Sequence, residues 1–234
     1  MQQPLDSIRL TYEEVYQSLH KWLEEAPFPY LQLDEKRHSV KVLNEEAEWV
    51  AELKLPLPMP AIEPENRDLA HYVKGLEEEI PSYIIMLIQL GAASVGFYED
   101  GEALQHKAIK KYMKRHKRGK AQISYLNTRG KSKAGSRIRL ANTVRFFEEI
   151  NERLTDLMEL YDVDRILYST TPQLWGLLFG SKVEVPFDKK DKRLIKIPRN
   201  VNVPDFEEME RLNEICRDGY LQILTEEGAE LTDY

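Results

Sequence analysis

The sequence holds one cysteine, Cys216. A lone thiol excludes an internal disulfide framework and any cysteine-based zinc site, and Cys216 reads as a small core hydrophobe. Long hydrophobic runs are also missing. The longest, Tyr83 to Leu90, falls far short of the roughly 20 apolar residues a membrane helix needs. The opening MQQPLDSIRL has no basic-apolar-small layout, so no secretory signal is visible. A soluble cytoplasmic protein with no membrane partner is expected. There is no Walker-type phosphate loop and no dinucleotide-binding glycine fingerprint. His20, His38, His71, His106 and His116 are scattered, with no pair at metal-ligand spacing. Neither a metal nor a cofactor is expected.

The most informative absence is local. Residues 106–145 contain no Asp or Glu but 14 of the 33 Lys and Arg. The formal net charge of −7 therefore splits into +14 within that block and −21 over the other 194 residues. Taken whole, mild acidity argues against a polyanionic partner. Resolved along the chain, it argues for one, because an ordinary solvated face mixes signs. The acidic remainder discourages indiscriminate RNA binding and leaves the basic block as the surface suited to a polyanionic cavity.

A chain of 234 residues suits one domain, or one with an appendage, and 42% hydrophobic content supports a real core. Residues 1–80 read as an acidic α+β extension. Tyr12, Val15, Tyr16, Leu19 and Leu23 recur at helical spacing, and Pro27 and Pro29 end that helix. Tyr30–Leu33 and Ser39–Leu43 alternate as a hairpin would. Trp22 and Trp49 are expected in the core. Pro56, Pro58, Pro60 and Pro64 make an extended connector, either a domain boundary or a segment packed across one domain.

Residues 81–200 read as a compact α/β domain. Tyr83–Leu90 and Ala93–Tyr98 have strand length, and Glu99–Glu102 is a hairpin turn. Ala103–Met113 is a third strand, with Leu104, Ala108 and Tyr112 on one face. From Arg115 to Gly135 the pattern stops and a long solvated loop is expected. Leu140, Val144, Phe147, Ile150, Leu154, Leu157 and Tyr161 then step by three or four, which predicts a long amphipathic helix. Arg165–Ser169 is a strand, Pro172–Phe179 a short core-facing helix carrying Trp175, and Leu194–Ile197 an edge strand. Residues 201–234 hold a last helix, Phe206–Ile215, and a tail.

Chemistry concentrates between Tyr112 and Gln122. Lys114, Arg115, Lys117, Arg118 and Lys120 can neutralise phosphates, each contact releasing counterions. Gly119 permits backbone conformations closed to other residues, and Ala121 adds only a methyl. The amide of Gln122 is no strong general base. It can orient a water or hydroxyl, and its backbone N–H can face a developing oxyanion. Such a loop makes sense only inside a site built by something else, and its charge says that something is polyanionic. On composition alone, a flexible RNA-binding loop without chemistry is the plainer reading.

The segment resembles the release-factor domain of the Vms-like release factor family. That family includes the eukaryotic ankyrin-repeat and zinc-finger peptidyl-tRNA hydrolases and is distantly related to the peptidyl-tRNA-cleaving domain of eukaryotic and archaeal class I release factors. Gly91-Ala-Ala-Ser-Val-Gly96, Phe97 and the acidic turn are similar to its opening strands. His106-Lys107, then Tyr112, Arg115, Lys117, Arg118, Gly119, Ala121 and Gln122, resemble its tyrosine-to-glutamine motif. Ser132, Ala134-Gly135, Arg139 and Asn142 are similar to the motif that re-enters the helix. The similarity spans about residues 82–180.

The resemblance implies an RNase H-like α/β domain whose loop projects between a strand and a long helix. Gln122 would correspond to the glutamine of the release-factor Gly-Gly-Gln tip, with Lys120 and Ala121 in place of the two glycines. Gly119, Ala121, Gly130 and Gly135 would shape the loop. Lys114, Arg115, Lys117, Arg118, Lys120, Arg129, Lys131, Lys133, Arg137 and Arg139 would hold ribosomal RNA or the tRNA acceptor stem, the last four flanking a helix N-terminus that itself favours anions. The implied partners are the large ribosomal subunit, its RNA and peptidyl-tRNA, met by a monomer. Nothing matches a codon-reading domain, ankyrin repeats or a zinc finger, which favours codon-independent rescue over stop-codon termination.

Two reactions stay open: water attack on the peptidyl ester, or a cut in the tRNA end itself. Two other functions do as well. One is a non-catalytic ribosome- or RNA-binding module. The other is a nuclease on an RNase H-like fold, which would need a trio of metal-binding carboxylates that does not stand out.

Overall fold

A computed structural model describes residues 4–25, 29–63, 68–112 and 134–233. Its elements run β1 (Asp6–Leu10), α1 (Tyr12–Glu25), β2 (Tyr30–Asp34), β3 (Ser39–Leu43), β4 (Trp49–Lys54) and α2 (Leu69–Lys74). There follow β5 (Tyr83–Gln89), β6 (Ala92–Glu99), β7 (Glu102–Lys110), α3 (Ala134–Leu160), β8 (Arg165–Ser169), α4 (Pro172–Phe179), β9 (Leu194–Lys196), α5 (Phe206–Cys216), β10 (Gly219–Ile223) and a 3-10 helix at Glu227–Asp233. The chain divides into two compact units, residues 1–81 with 213–234, and residues 82–212.

The first unit is built on an antiparallel sheet of order β1-β10-β4-β3-β2. Helix α1 starts with a capping box: Thr11 N–H donates to Glu14 Oε2 (2.7 Å) and Glu14 N–H to Thr11 Oγ1 (3.2 Å). Its buried stripe is Tyr12, Val15, Leu19 and Trp22, packed with Val40, Val42 and Leu53 of the sheet. Leu23, expected on that stripe, is exposed because Trp22 takes the core position. Of the two readings of the proline connector, the structure selects packing across one unit: Leu55, Met59 and Ile62 are buried in this same core. Trp49 departs from the core expectation. It is only partly buried, and Arg37 and Lys41 lie over its ring at 5.1 and 5.0 Å. Strands β1, β4 and β10 and helix α2 carry no periodic signal long enough to read locally.

The second unit is a mixed sheet of order β7-β6-β5-β8-β9. Strands β5, β6 and β7 form antiparallel hairpins, whereas β8 and β9 run parallel to β5. The Glu99–Glu102 turn forms as expected. Asp100 and Gly101 both take positive φ (52° and 76°), the two-residue hairpin geometry that matches strand twist. Strand β5 is buried from Tyr83 to Ile88, which is why its sequence is a continuous apolar run rather than an alternating one. Ile84, Met86, Val95, Phe97 and Ile109 face Phe146, Phe147, Ile150, Leu154 and Leu157 of α3 and Leu174 and Leu178 of α4. Helix α4 starts as read, with Pro172 in its first turn and Thr171 as N-cap. On the other face Tyr83 stacks on Tyr98 (5.2 Å), and Tyr98 Oη donates to Glu210 at 2.8 Å. Gly96 leaves room there for the Met209 methyl, which a Cβ would strike.

Two sequence expectations for the second unit need correction. Leu104, Ala108 and Tyr112 share a face, but it is the exposed one, and Ile109 is the buried residue. The position of β7 at a sheet edge leaves those side chains to solvent, and the register shift opposite Phe97 and Tyr98 falls at Leu104 alone. Leu140 and Val144 also lie exposed, so the buried apolar stripe of α3 starts at Phe146, one turn after the buried Thr143. Among the described residues, no helix is long and apolar enough to cross a membrane.

Glu208 fastens the segment before α5. It accepts from Arg211 Nη2 (2.7 Å) and Nε (2.9 Å) and from Asn202 N–H (2.7 Å) and Nδ2 (2.9 Å). The Arg211 guanidinium, helped by the Asn202 donors, holds its carboxyl down at about 2, from an ordinary 4.5. The folded state therefore binds this proton later than the unfolded chain. The stabilisation is full above about pH 4.5 and fades as pH falls toward about 2. Glu208→Gln is expected to lower the melting temperature at pH 7 and to flatten its fall between pH 4.5 and 2, read from thermal melts at stepped pH. A variant with the parental pH profile would show the carboxylate to be immaterial.

Candidate functional site

Strands β5 and β7 both run opposite to β6, and β8 runs with β5. The carboxyl ends of β5, β7 and β8 thus share one edge of the sheet, the edge where open α/β sheets commonly bind ligands. The chain leaves β7 at this edge and returns as α3. Most of the predicted site residues lie in the stretch between: Lys114, Arg115, Lys117, Arg118, Gly119, Lys120, Ala121, Gln122, Arg129, Gly130, Lys131 and Lys133 fall outside the described residues. Gly135, Arg137 and Arg139 belong to the first turns of α3.

What the structure describes is the base from which that stretch departs. Lys111 N–H donates to the carbonyl of Gly91 (3.0 Å), in the β5–β6 turn, where Gly91 takes φ 86°. The positive φ is the conformation that glycine adopts without a Cβ penalty. Lys111 Nζ donates to Glu149 Oε1 of α3 at 2.6 Å. The Tyr112 carbonyl accepts from Asn142 Nδ2, also on α3, at 3.0 Å. Toward its N-terminus α3 continues for another eight residues, Ala134 to Ala141, about 12 Å of helix, with Ile138 and Leu140 exposed.

Further along α3, Arg153 Nη2 donates to Gln105 Oε1 (2.7 Å), and Gln105 Nε2 donates to Tyr161 Oη (2.8 Å). Tyr161 stacks on Phe97 with ring centroids 4.1 Å apart. Strand β7 and helix α3 are therefore joined by polar contacts from Gln105 to Tyr112 over an aromatic floor. His106, in the resembling motif, lies 3.0 Å (Nε2) from Ser94 Oγ and tilts against Phe206 with ring centroids 4.8 Å apart. Burial lowers its pKa against an opposing pull from Glu210, so it is neutral near pH 7. Ser94 is fully buried, which makes this pair a packing contact rather than an exposed nucleophile.

Sequence reasoning singled out Asn142 only as a motif match and missed Glu149, Gln105 and Arg153 as site supports. The one available signal was that Glu149 sits just past the acid-free block. Among the described residues, no group of three or more His, Cys, Asp or Glu is placed to hold a metal ion.

Comparison with known proteins finds similar chains. Over 134 residues the chain is 28% identical to a protein of Bos taurus named tRNA endonuclease ANKZF1. The match takes in 55% of this chain but 18% of that protein. A solved structure titled Vms1 mitochondrial localization core aligns with 92% of this chain and 85% of its own, at 13% identity and a TM-score of 0.48. A family match, to the Bacteroidetes VLRF1 release factors, runs over residues 83–219, from the first strand of the mixed sheet to the start of β10. With more than half its length inside that match, the chain belongs to the Bacteroidetes VLRF1 release factor family.

Proposed function

We propose that the protein is a ribosome-rescue factor that cleaves peptidyl-tRNA on stalled large ribosomal subunits without reading a codon. One observation supports this reading: the most basic part of the chain, free of carboxylates, lies in sequence between β7 and α3, inside a release-factor family match. The loop enters the peptidyl transferase centre, a cavity of RNA, and Gln122 is its reacting tip. Lys114, Arg115, Lys117, Arg118, Lys120, Arg129, Lys131, Lys133, Arg137 and Arg139 bind phosphates of ribosomal RNA or the tRNA acceptor stem. Gly119, Ala121 and Gly130 keep the loop slim, whereas Gly135, expected in the loop, is already part of helix α3. An RNase H-like reading of residues 81–200 is supported by the strand order, three antiparallel strands with two parallel ones beyond the first. The acidic residues 1–80, expected as an extension, build a compact unit together with residues 213–234, and the protein works in the cytoplasm as a monomer.

In the ester reaction, water attacks the peptidyl carbonyl and the acyl C–O bond breaks. The hydroxyl stays with the peptide and the tRNA 3′ oxygen takes the proton. Gln122 orients the water, and its backbone N–H faces the developing oxyanion. The bovine relative is named a tRNA endonuclease; a cut within the tRNA 3′ end would instead leave nucleotides on the peptide.

Purified stalled large subunits carrying a labelled nascent chain test the proposal. Release by the intact protein is expected, and the mass of the freed peptide tells which bond was cut. Tight, salt-sensitive binding without release would refute cleavage and leave a non-catalytic RNA-binding module.

A further inference from the structure

We propose that Asn142, Lys111 and Glu149 are positioning residues for the cleavage. They fasten the outgoing end of the basic loop to the body of α3 and so set where Gln122 is presented. The inference rests on the function proposed above and extends it to residues outside the loop.

Three bonds converge on two consecutive residues at the end of β7. The Lys111 backbone is held by Gly91 (3.0 Å), its ammonium by Glu149 (2.6 Å), and the Tyr112 carbonyl by Asn142 (3.0 Å). Asn142 and Glu149 stand seven residues apart, two helical turns, and so share one face of α3. The chemistry of the pair also sets Lys111 apart. Within residues 106–145 no carboxylate is available. Lys111 reaches beyond that block to Glu149, so its charge is directed into the fold rather than toward a phosphate.

Energetics separate positioning from mere support. The Lys111 and Glu149 side chains are 27% and 34% exposed, and part-exposed ion pairs add little to global stability. Asn142 bonds outside the hydrophobic core. A displacement of about 1 Å at a reacting group, by contrast, can cost about 100-fold in rate. Loss of these contacts is therefore read in the rate of release, not in unfolding.

The test uses the full chain on purified stalled large subunits, with release at saturating subunits and subunit binding measured separately. Glu149→Gln removes the ion pair while keeping its shape. Asn142→Asp sets a carboxylate where the Tyr112 carbonyl needs a donor. Each is expected to lower maximal release about 10-fold or more, with binding within about three-fold and the urea midpoint unchanged. Exchanging the charges, Lys111→Glu with Glu149→Lys, is expected to return release to within about three-fold of the parent, while either change alone does not. Parental release by Glu149→Gln and Asn142→Asp, beside an inactive Gln122→Ala, would overturn the positioning role and leave Gln122 as the tip. A fall in release matched by equal loss of binding or of folded protein would also overturn it. A parent protein that releases nothing would overturn both readings.

Discussion

Replacing Gln122 with alanine is expected to lower nascent-chain release by about 100-fold or more while leaving subunit binding within about two-fold. The separation follows from how the loop divides its work. Affinity belongs to the cations, each of which releases counterions on meeting a phosphate. The amide of Gln122 carries no net charge and adds little to that attraction. In the function proposed above its part is to orient the attacking group, so its removal should be felt in the transition state and not in the bound state. Gln122→Glu is expected to fare no better, because a carboxylate would repel a developing oxyanion. Charge reversal at Lys117 and Arg118 should do the opposite of alanine at Gln122. It should weaken binding and flatten its dependence on salt, while release from subunits already bound falls less. The measurement is single-turnover release alongside binding across a salt series. An alanine variant releasing as fast as the parent would remove Gln122 from the chemistry.

The largest effect on stability is expected at Phe97. It is 1% exposed, lies in the core between β6 and α3, and stacks on Tyr161. Phe97→Ala should cost about 4 kcal/mol, from lost burial and the cavity left behind. The damage should spread to the loop base, because Tyr161 also receives Gln105, and Gln105 is held by Arg153. The chain has two compact units, so a single unfolding midpoint could blur the result. Amide hydrogen exchange across residues 83–110 reads the second unit alone, and protection there should fall most. Exchange that slackened equally in β3 and β4 would contradict a local cavity.

The candidate tip and its cations were read from the sequence alone, by counting the basic block and from spaced residues between Tyr112 and Gln122 that resemble the family motif, and most of that stretch lies outside the described residues. The supports were not legible. Glu149 is one of 40 acidic residues, and its place just past the acid-free block does not single it out as the partner of Lys111. Asn142 is an ordinary helical asparagine until the Tyr112 carbonyl is seen beside it. These contacts join residues 30 to 48 positions apart, and no local pattern records them.

The fold divides along the same line. Helix α3 is announced by a 3.6-residue apolar period, β5 by a run buried on both faces, and the β6–β7 hairpin by its Asp100-Gly101 turn. Each is a short-range property, governed by rotamer, dihedral and side-chain spacing. Strand β10 is the counterexample. It lies between β1 and β4, with Asp6 opposite Ile223, so the two ends of the chain share one sheet. Its five residues gain stability only from partners supplied by distant chain, as any strand does. The outward face of β7 was settled the same way, by its edge position. By itself the sequence determined the concentration of charge in one block and the elements on either side of it. The tertiary structure decided which strands pair, which face of β7 is buried, and which side chains hold the base of that loop, because those outcomes depend on contacts between residues far apart in the chain.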